Sequence, residues 1–253
     1  MIRKTAMSMP AFYLDQSQWG SCVHLRPPES HHLQVLRLAC DDEVELLDGV
    51  GHIGVFVITD IRKKEVILQK KTETFHPRPT SLPILALGLS KTIRRSFLLE
   101  KAAELGASGI WLFQGQFSQA KLVPSLAEKI EPTLIAGCKQ SKNPWLPEIR
   151  LFPQGLSELT EALSGIDHRY LPWEGETSKA MISLSDLGLP GKTIYAIGPE
   201  GGFAPRELEV LDQAQFQRVS LGARVLRCET AATLCLGLHW WASQLSQAKD
   251  SAL

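Results

Sequence analysis

The chain has 253 residues, 44% hydrophobic and 21% charged, with 27 basic side chains balancing 27 acidic ones. That length suits two modest domains, and no apolar tract approaches the ~20 residues of a membrane span. The cysteines at 22, 40, 138, 228 and 235 include no Cys-x-x-Cys pair, which argues against a disulfide framework or a zinc site. They suit a reducing cytoplasm, as does a start, Met1-Ile2-Arg3-Lys4, without the apolar run of a secretory signal. Neutrality conceals a gradient: residues 1–75 carry 9 Lys+Arg against 10 Asp+Glu, residues 76–150 carry 10 against 5, and residues 151–253 carry 8 against 12. A basic patch on a neutral protein still attracts phosphate, and an unevenly charged solvated surface gives the same count.

Short apolar or alternating runs at Ala11–Leu14, Val44–Leu47, His52–Ile58 and Glu65–Gln69, divided by turns such as Asp48-Gly49, predict the strands of a small barrel. One helical turn interrupts them, with Ser30 as N-cap and Leu33, Leu36 and Arg37 at helical spacing. Phe75-His76-Pro77-Arg78-Pro79-Thr80 reads as a linker. Beyond it strands alternate with helices: strand Pro83–Leu89, helix Thr92–Leu105 with Phe97, Leu98, Ala102 and Leu105 on one side and Gly106 as C-cap, strand Ile110–Phe113, helix Val123–Gln140, strand Ile149–Phe152, helix Leu156–Leu163, strand Arg169–Trp173, strand Thr193–Gly198, helix Pro205–Ala214, strand Arg218–Leu221 and helix Glu229–Gln244. That alternation indicates an α/β domain with a mostly parallel sheet covered on both faces.

Ligands of such sheets sit beyond the carboxyl ends of the strands. Three loops there contain glycine: Leu171-Pro172-Trp173-Glu174-Gly175, Ile197-Gly198-Pro199-Glu200-Gly201-Gly202-Phe203, and Leu221-Gly222-Ala223-Arg224-Val225-Leu226-Arg227. Glycine lets a ligand lie against main-chain N–H and C=O groups; each loop taken alone is also an ordinary strand-to-helix turn. None matches a dinucleotide fingerprint or a triphosphate loop, and metalloprotease and serine-hydrolase motifs are absent from the sequence. His31-His32 has no ligand-spaced Cys, Asp or Glu, so no metal is expected. Trp240-Trp241 reads as core or as an interface between subunits.

With these loops the sequence resembles the RsmE family of the SPOUT superfamily, ribosomal RNA small subunit methyltransferases that methylate N3 of a uridine in 16S rRNA. The resemblance rests on His31-His32-Leu33-Gln34-Val35-Leu36-Arg37-Leu38, on Lys101-Ala102-Ala103-Glu104-Leu105-Gly106, on Ile197–Phe203, and on Leu221–Arg227 followed by Glu229-Thr230-Ala231. It implies a PUA-like RNA-binding barrel over 1–75, a SPOUT trefoil-knotted parallel-sheet domain over 76–253, S-adenosylmethionine as methyl donor, 16S rRNA or the small ribosomal subunit as partner, and a homodimer. The cofactor is expected on Leu171, Gly198, Pro199, Glu200, Gly201, Gly202, Leu221, Gly222 and Leu226, and RNA on Arg37, Lys91, Arg94, Arg95, Gln140, Lys142 and Asn143. Arg227 is the first candidate to stabilise a uracilate oxygen or a phosphate, with Glu229 and Glu200 as candidate proton acceptors; the carboxylates also suit a helix start and loop packing. Asn143 stands where the family commonly has arginine, Asp41 where it has glycine, and Cys228 where threonine is frequent. The Asn143 and Cys228 departures keep open a non-catalytic RNA-binding or ribosome-assembly factor, and a SPOUT methyltransferase of another nucleotide is a third reading.

Overall fold

The computed structural model describes residues 9–90, 94–174, 181–187 and 189–250. The chain divides into two compact units, one running to Arg78 and including Cys138–Leu146, the other formed by Pro79–Gly137 and the chain from Pro147 onward. In the first unit apolar side chains recur at every second position, and these runs become strands: β1 (Ala11–Tyr13), β2 (Cys22–Leu25), β3 (Glu43–Leu47), β4 (His52–Ile61) and β5 (Val66–Phe75). Their order is β1-β3-β4-β5-β2, with β1 parallel to β3 and the other pairs antiparallel. The period of two turns Val44 and Leu46, Phe56 and Ile58, and Val66 and Leu68 to one buried face, which Phe12, Val23, Leu25 and Leu33 complete. Register shifts in β4 at Val55/Phe56 and Ile58/Asp60 bend the ten-residue strand and curl the sheet.

Local differences from expectation have local causes. Helix α1 (Glu29–Val35) starts one residue earlier than Ser30, after Pro28; Ser30 lies inside the first turn and is buried, so it does not cap. Strand β2 escapes a sequence reading because only Val23 and Leu25 of its four residues face inward and its partner, β5, lies some forty residues on. The outer half of β5 is exposed and lacks apolar rhythm.

The second unit holds β6 (Ser81–Gly88), α2 (Arg94–Glu104), β7 (Gly109–Phe113), α3 (Leu126–Ser141, its last turn in the first unit), β8 (Glu148–Phe152), α4 (Leu156–Glu161), β9 (His168–Pro172), α5 (Leu184–Leu187), β10 (Gly191–Ile197), α6 (Pro205–Gln213), β11 (Gln217–Val219) and α7 (Cys228–Asp250). Its six strands are all parallel, in the order β11-β9-β10-β6-β7-β8. Every residue of β7 and Thr193–Ile197 of β10 are buried, the continuous apolar pattern of a sheet covered on both sides. Strands run outward from β6 to β8, and the chain then returns to place β10 against the other side of β6. The crevice at the carboxyl ends of β6 and β10 is therefore the topological switch point. Helix α2 buries Leu98, Leu99, Ala102 and Ala103, leaving Phe97 53% exposed, so its inner face is rotated from the one expected.

Residues 138–146, expected within the catalytic domain, group with the first unit. Pro144 O accepts from Gly51 N–H at 3.0 Å, Leu146 N–H donates to Gly49 O at 2.9 Å, and Lys139 Nζ reaches Glu29 at 2.8 Å.

One polar cluster fastens α7 to the sheet. His239 is 1% exposed, with Nε2 2.7 Å from Ser81 Oγ of β6 and Nδ1 3.0 Å from Tyr195 OH of β10. Hydroxyls donate or accept, so a neutral ring is satisfied at both nitrogens. Burial, and then the nearby His168, push its pKa down to about 4 from 6.5. Between those values the unfolded chain binds a proton that the folded chain does not. The stability this neutral ring contributes is thus complete above pH 6.5 and is lost as pH falls toward 4, by up to about 3 kcal/mol. Urea unfolding of the wild type and His239→Gln across that range should show a steeper acid loss in the wild type; identical slopes would assign the titration elsewhere.

Candidate cofactor-binding and active site

The three glycine-bearing loops meet at the switch point around one cavity of about 460 Å³, within the usual range for small-molecule sites. Glycine makes the convergence possible. A Cβ on Gly88, at the end of β6, would stand 2.4 Å from Pro199 Cδ and 2.6 Å from Pro199 N, so only a bare backbone admits the second loop there. A Cβ on Gly198 would meet the Phe203 ring at 3.0 Å, and that ring stacks on Phe113 with centroids 6.1 Å apart.

Of the residues expected to hold the cofactor, Gly198, Pro199, Glu200, Gly202, Leu221, Gly222 and Leu226 line the cavity. Leu171 is fully buried in the core, and the lining of the first loop begins at Pro172 and continues through Trp173 and Glu174. Gly201 is not in the lining either: its missing Cβ points at Phe117, 2.7 Å from that side chain's Cβ. All three candidates for catalysis, Arg227, Glu229 and Glu200, face the cavity.

One acid at the start of α6 joins two loops. Glu207 accepts from Ala204 N–H at 2.7 Å, as the first turn of α6 requires, and its other oxygen accepts from Gln116 N–H at 2.9 Å. It ties the loop after β7 to the start of α6 just beyond the second glycine-bearing loop, a link 91 residues long in sequence. The Gln114 side chain orders that β7 loop further, donating to Ala120 O at 3.0 Å and accepting from Leu122 N–H at 2.8 Å.

Cys228, at the first position of α7, also lines the cavity, and its thiol donates to Glu229 at 3.2 Å. Burial pushes this thiol up to about 12, helped by its hydrogen bond to Glu229 and by the charges of Glu229 and Glu200. It remains a neutral donor, the part a threonine hydroxyl would take. Arg224 and Arg227 bring positive charge to the same wall, against Glu174, Glu200 and Glu229. Among the described residues no three His, Cys, Asp or Glu side chains cluster as metal ligands.

The expected RNA-contacting residues distribute differently. Lys91 and the side chains of Arg94 and Arg95 lie outside the described residues. Arg37 is exposed at the end of α1 with φ +55°, and Gln140 is exposed on the last turn of α3. Lys142 pairs with Glu45 at 2.6 Å, and Asn143 Oδ1 accepts from Trp145 N–H at 3.0 Å. Both support the loop that carries them.

The architecture and cavity define a class. A family described as RNA methyltransferase domain matches residues 78–240, and one described as RNA methyltransferase PUA domain matches residues 25–71; the chain belongs to the RNA methyltransferase family. Within it, the chain is 29% identical over 209 residues to ribosomal RNA small subunit methyltransferase E of Mesomycoplasma hyopneumoniae, covering 81% of this chain and 88% of that protein. Among solved structures it is similar to a Legionella pneumophila protein in complex with bound cofactor SAM (TM-score 0.83, 26% identity, 93% of this chain and 98% of that one). It is also similar to the ribosomal RNA small subunit methyltransferase E of Neisseria gonorrhoeae bound to S-adenosyl methionine (TM-score 0.76, 26% identity, 90% and 95%).

The cysteines provide a test of this packing. Cys22 and Cys40 are exposed, whereas Cys138, Cys228 and Cys235 are each pushed to about 12, chiefly by burial. Near pH 8 a thiol reagent should modify Cys22 and Cys40 quickly, Cys228, half-buried on the cavity wall, more slowly, and Cys138 and Cys235 only on unfolding; modification of Cys228 as fast as that of Cys22 would contradict its raised pKa and its hydrogen bond to Glu229.

Proposed function

We propose that this protein transfers a methyl group from S-adenosylmethionine to N3 of a uridine in 16S rRNA of the small ribosomal subunit. The observation that carries the reading is the meeting of three glycine-bearing loops in one cavity that holds both carboxylates and arginines. The residues fit the cofactor: bare backbone at Gly198 and Gly222 accommodates a flat adenine edge, Phe203 and Leu226 supply apolar walls, and Glu200 and Glu229 face a cationic ligand. Bound there, S-adenosylmethionine supplies an electrophilic methyl group.

The protein's own residues have three tasks. Uracil N3 is a weak acid, paired in a duplex and a poor nucleophile until its proton is lost, so the base must be unpaired and held in line. Positioning of this kind is worth roughly 7–11 kcal/mol in favourable cases. Arg227 offers its guanidinium to the uracil oxygen on which negative charge gathers, or to the flanking phosphate, and Glu229 or Glu200 accepts the N3 proton. The thiol of Cys228 holds the Glu229 carboxylate in place. The cytoplasmic location, the homodimer and the trefoil knot belong to the same proposal. Among the described residues no helix is long and apolar enough to cross a membrane.

Calorimetry should detect stoichiometric S-adenosylmethionine binding, and digests of 16S rRNA from cells lacking the gene should lose one methyluridine. Unchanged modification in those cells would refute the assignment. Arg227→Ala should lower kcat by about 10²–10³ while leaving cofactor affinity nearly unchanged, the signature of a group used in the transition state. A comparable loss of cofactor affinity would make it a binding residue. Between Glu229→Gln and Glu200→Gln, the variant that abolishes the acid limb of the pH–rate profile identifies the proton acceptor.

A further inference from the structure

A row of rings crosses the first unit. Trp19 lies 6.0 Å from His52, His52 5.0 Å from Phe75, and Phe75 6.2 Å from Trp145, which it meets edge to face. The Arg78 guanidinium sits 5.4 Å from the Trp145 ring centroid and ends the row with a cation. The turn between β3 and β4 makes room for it. Gly51 has φ +115°, and a Cβ there would stand 2.7 Å from Phe75 Cε2, 2.8 Å from Trp145 Cζ2 and 2.9 Å from His76 O.

Hydrogen bonds fix the Trp19 and His52 rings and the backbone that carries Trp145. Trp19 Nε1 donates to Glu73 at 2.7 Å and His52 Nδ1 lies 2.6 Å from the buried Asp48 carboxylate, while at Trp145 it is the backbone N–H that donates to Asn143 Oδ1 at 3.0 Å, holding the loop and not the indole. His76 N–H donates to Gly51 O at 2.8 Å, which pins the backbone just after Phe75. Phe75 itself leaves 56% of its surface in solvent. Among the described residues no carboxylate lies within 4 Å of the Arg78 guanidinium.

A bare planar ring on a rigid mount, next to an uncompensated cation, matches the two chemical parts of a nucleotide. The ring stacks on a base and the guanidinium meets a phosphate. Bases in a duplex are already stacked, so this chemistry selects an unpaired strand. We propose that Phe75, supported by His52 and Trp145 and flanked by Arg78, is a stacking platform through which the first unit grips single-stranded RNA. The proposal rests on the reading of the chain as an RNA methyltransferase. It adds that the RNA is bound through an unpaired base as well as through phosphates, and that Lys142 and Asn143 serve this contact by holding the Trp145 loop.

The test uses the intact protein and a labelled single-stranded oligouridylate, followed by fluorescence anisotropy over a range of salt. Phe75→Ala should weaken binding about 5- to 150-fold, the range for loss of one stacked base, without altering the salt slope. Phe75→Tyr, which keeps the ring, should bind as the wild type does. Arg78→Ala should reduce the salt slope by about 0.7, the value for one phosphate contact on a single strand. An RNA duplex should bind more weakly and respond little to Phe75→Ala. Wild-type affinity in Phe75→Ala, or a preference for the duplex, would overturn the platform. Calorimetry with S-adenosylmethionine on the same proteins separates the two proposals. Normal cofactor binding with RNA affinity unchanged in Phe75→Ala removes the platform alone. Absence of cofactor binding in every protein removes the methyltransferase reading while leaving the platform supported by its RNA data.

Discussion

The cavity depends on one close approach, that of the Gly198–Pro199 backbone to the end of β6. Gly88 has no side chain, and any Cβ there would lie inside the van der Waals envelope of Pro199. Because β6 and β10 are register neighbours at the switch point, this contact sets the second loop over the crevice. The other parts follow from it. Phe203 stacks on Phe113, the Glu207 carboxylate draws in the loop after β7, and the first and third loops close the remaining sides. The cavity is thus a product of backbone packing at strand ends, and its side chains are secondary to the glycines that let the loops meet.

That origin explains what could be read from the residues in advance. Strand–glycine–helix punctuation is a local signal, so the second and third loops, and nearly all of their lining residues, are visible in sequence. The parallel sheet is visible for the same reason, since runs such as Ile194–Ile197 are apolar throughout. Properties that depend on distant partners are not. Nothing near Glu207 indicates Gln116, nothing in the 138–146 stretch points to the Gly49–Gly51 turn, and Leu171 differs from Pro172 only in which side of the strand end it occupies. Phe97 is a similar case: helical spacing gives it a face, but only the packing of α2 decides that Leu99 and Ala103 lie inward.

Chemical type alone does not show which polar groups already have partners. Lysine and asparagine are reasonable partners for phosphate and base, yet Lys142 and Asn143 are engaged by Glu45 and by the Trp145 backbone. In the basic middle segment Lys101 and Lys139 are also paired, with Glu104 and Glu29. The charge gradient along the sequence therefore overstates the attraction left for a polyanion. What distinguishes Arg78 is its position over a ring and the lack of a described carboxylate beside it.

The start of α7 separates residues that serve folding from residues that serve function. A helix N-terminus carries partial positive charge and favours acids, so Glu229 in the first turn is accounted for by the helix alone. Arg227, immediately before the helix, is not, since a cation at that end is disfavoured by a few tenths to about 1 kcal/mol, and Arg224 stands farther out on the same wall. Both are exposed on the cavity wall, where burial gives them no compensating packing. An anionic partner reverses the balance, because a phosphate or a uracilate oxygen gains from the arginine and from the helix end together. The unfavourable placement of Arg227 is therefore a feature that the proposed RNA substrate would account for, and it is independent of the glycines that shape the cavity.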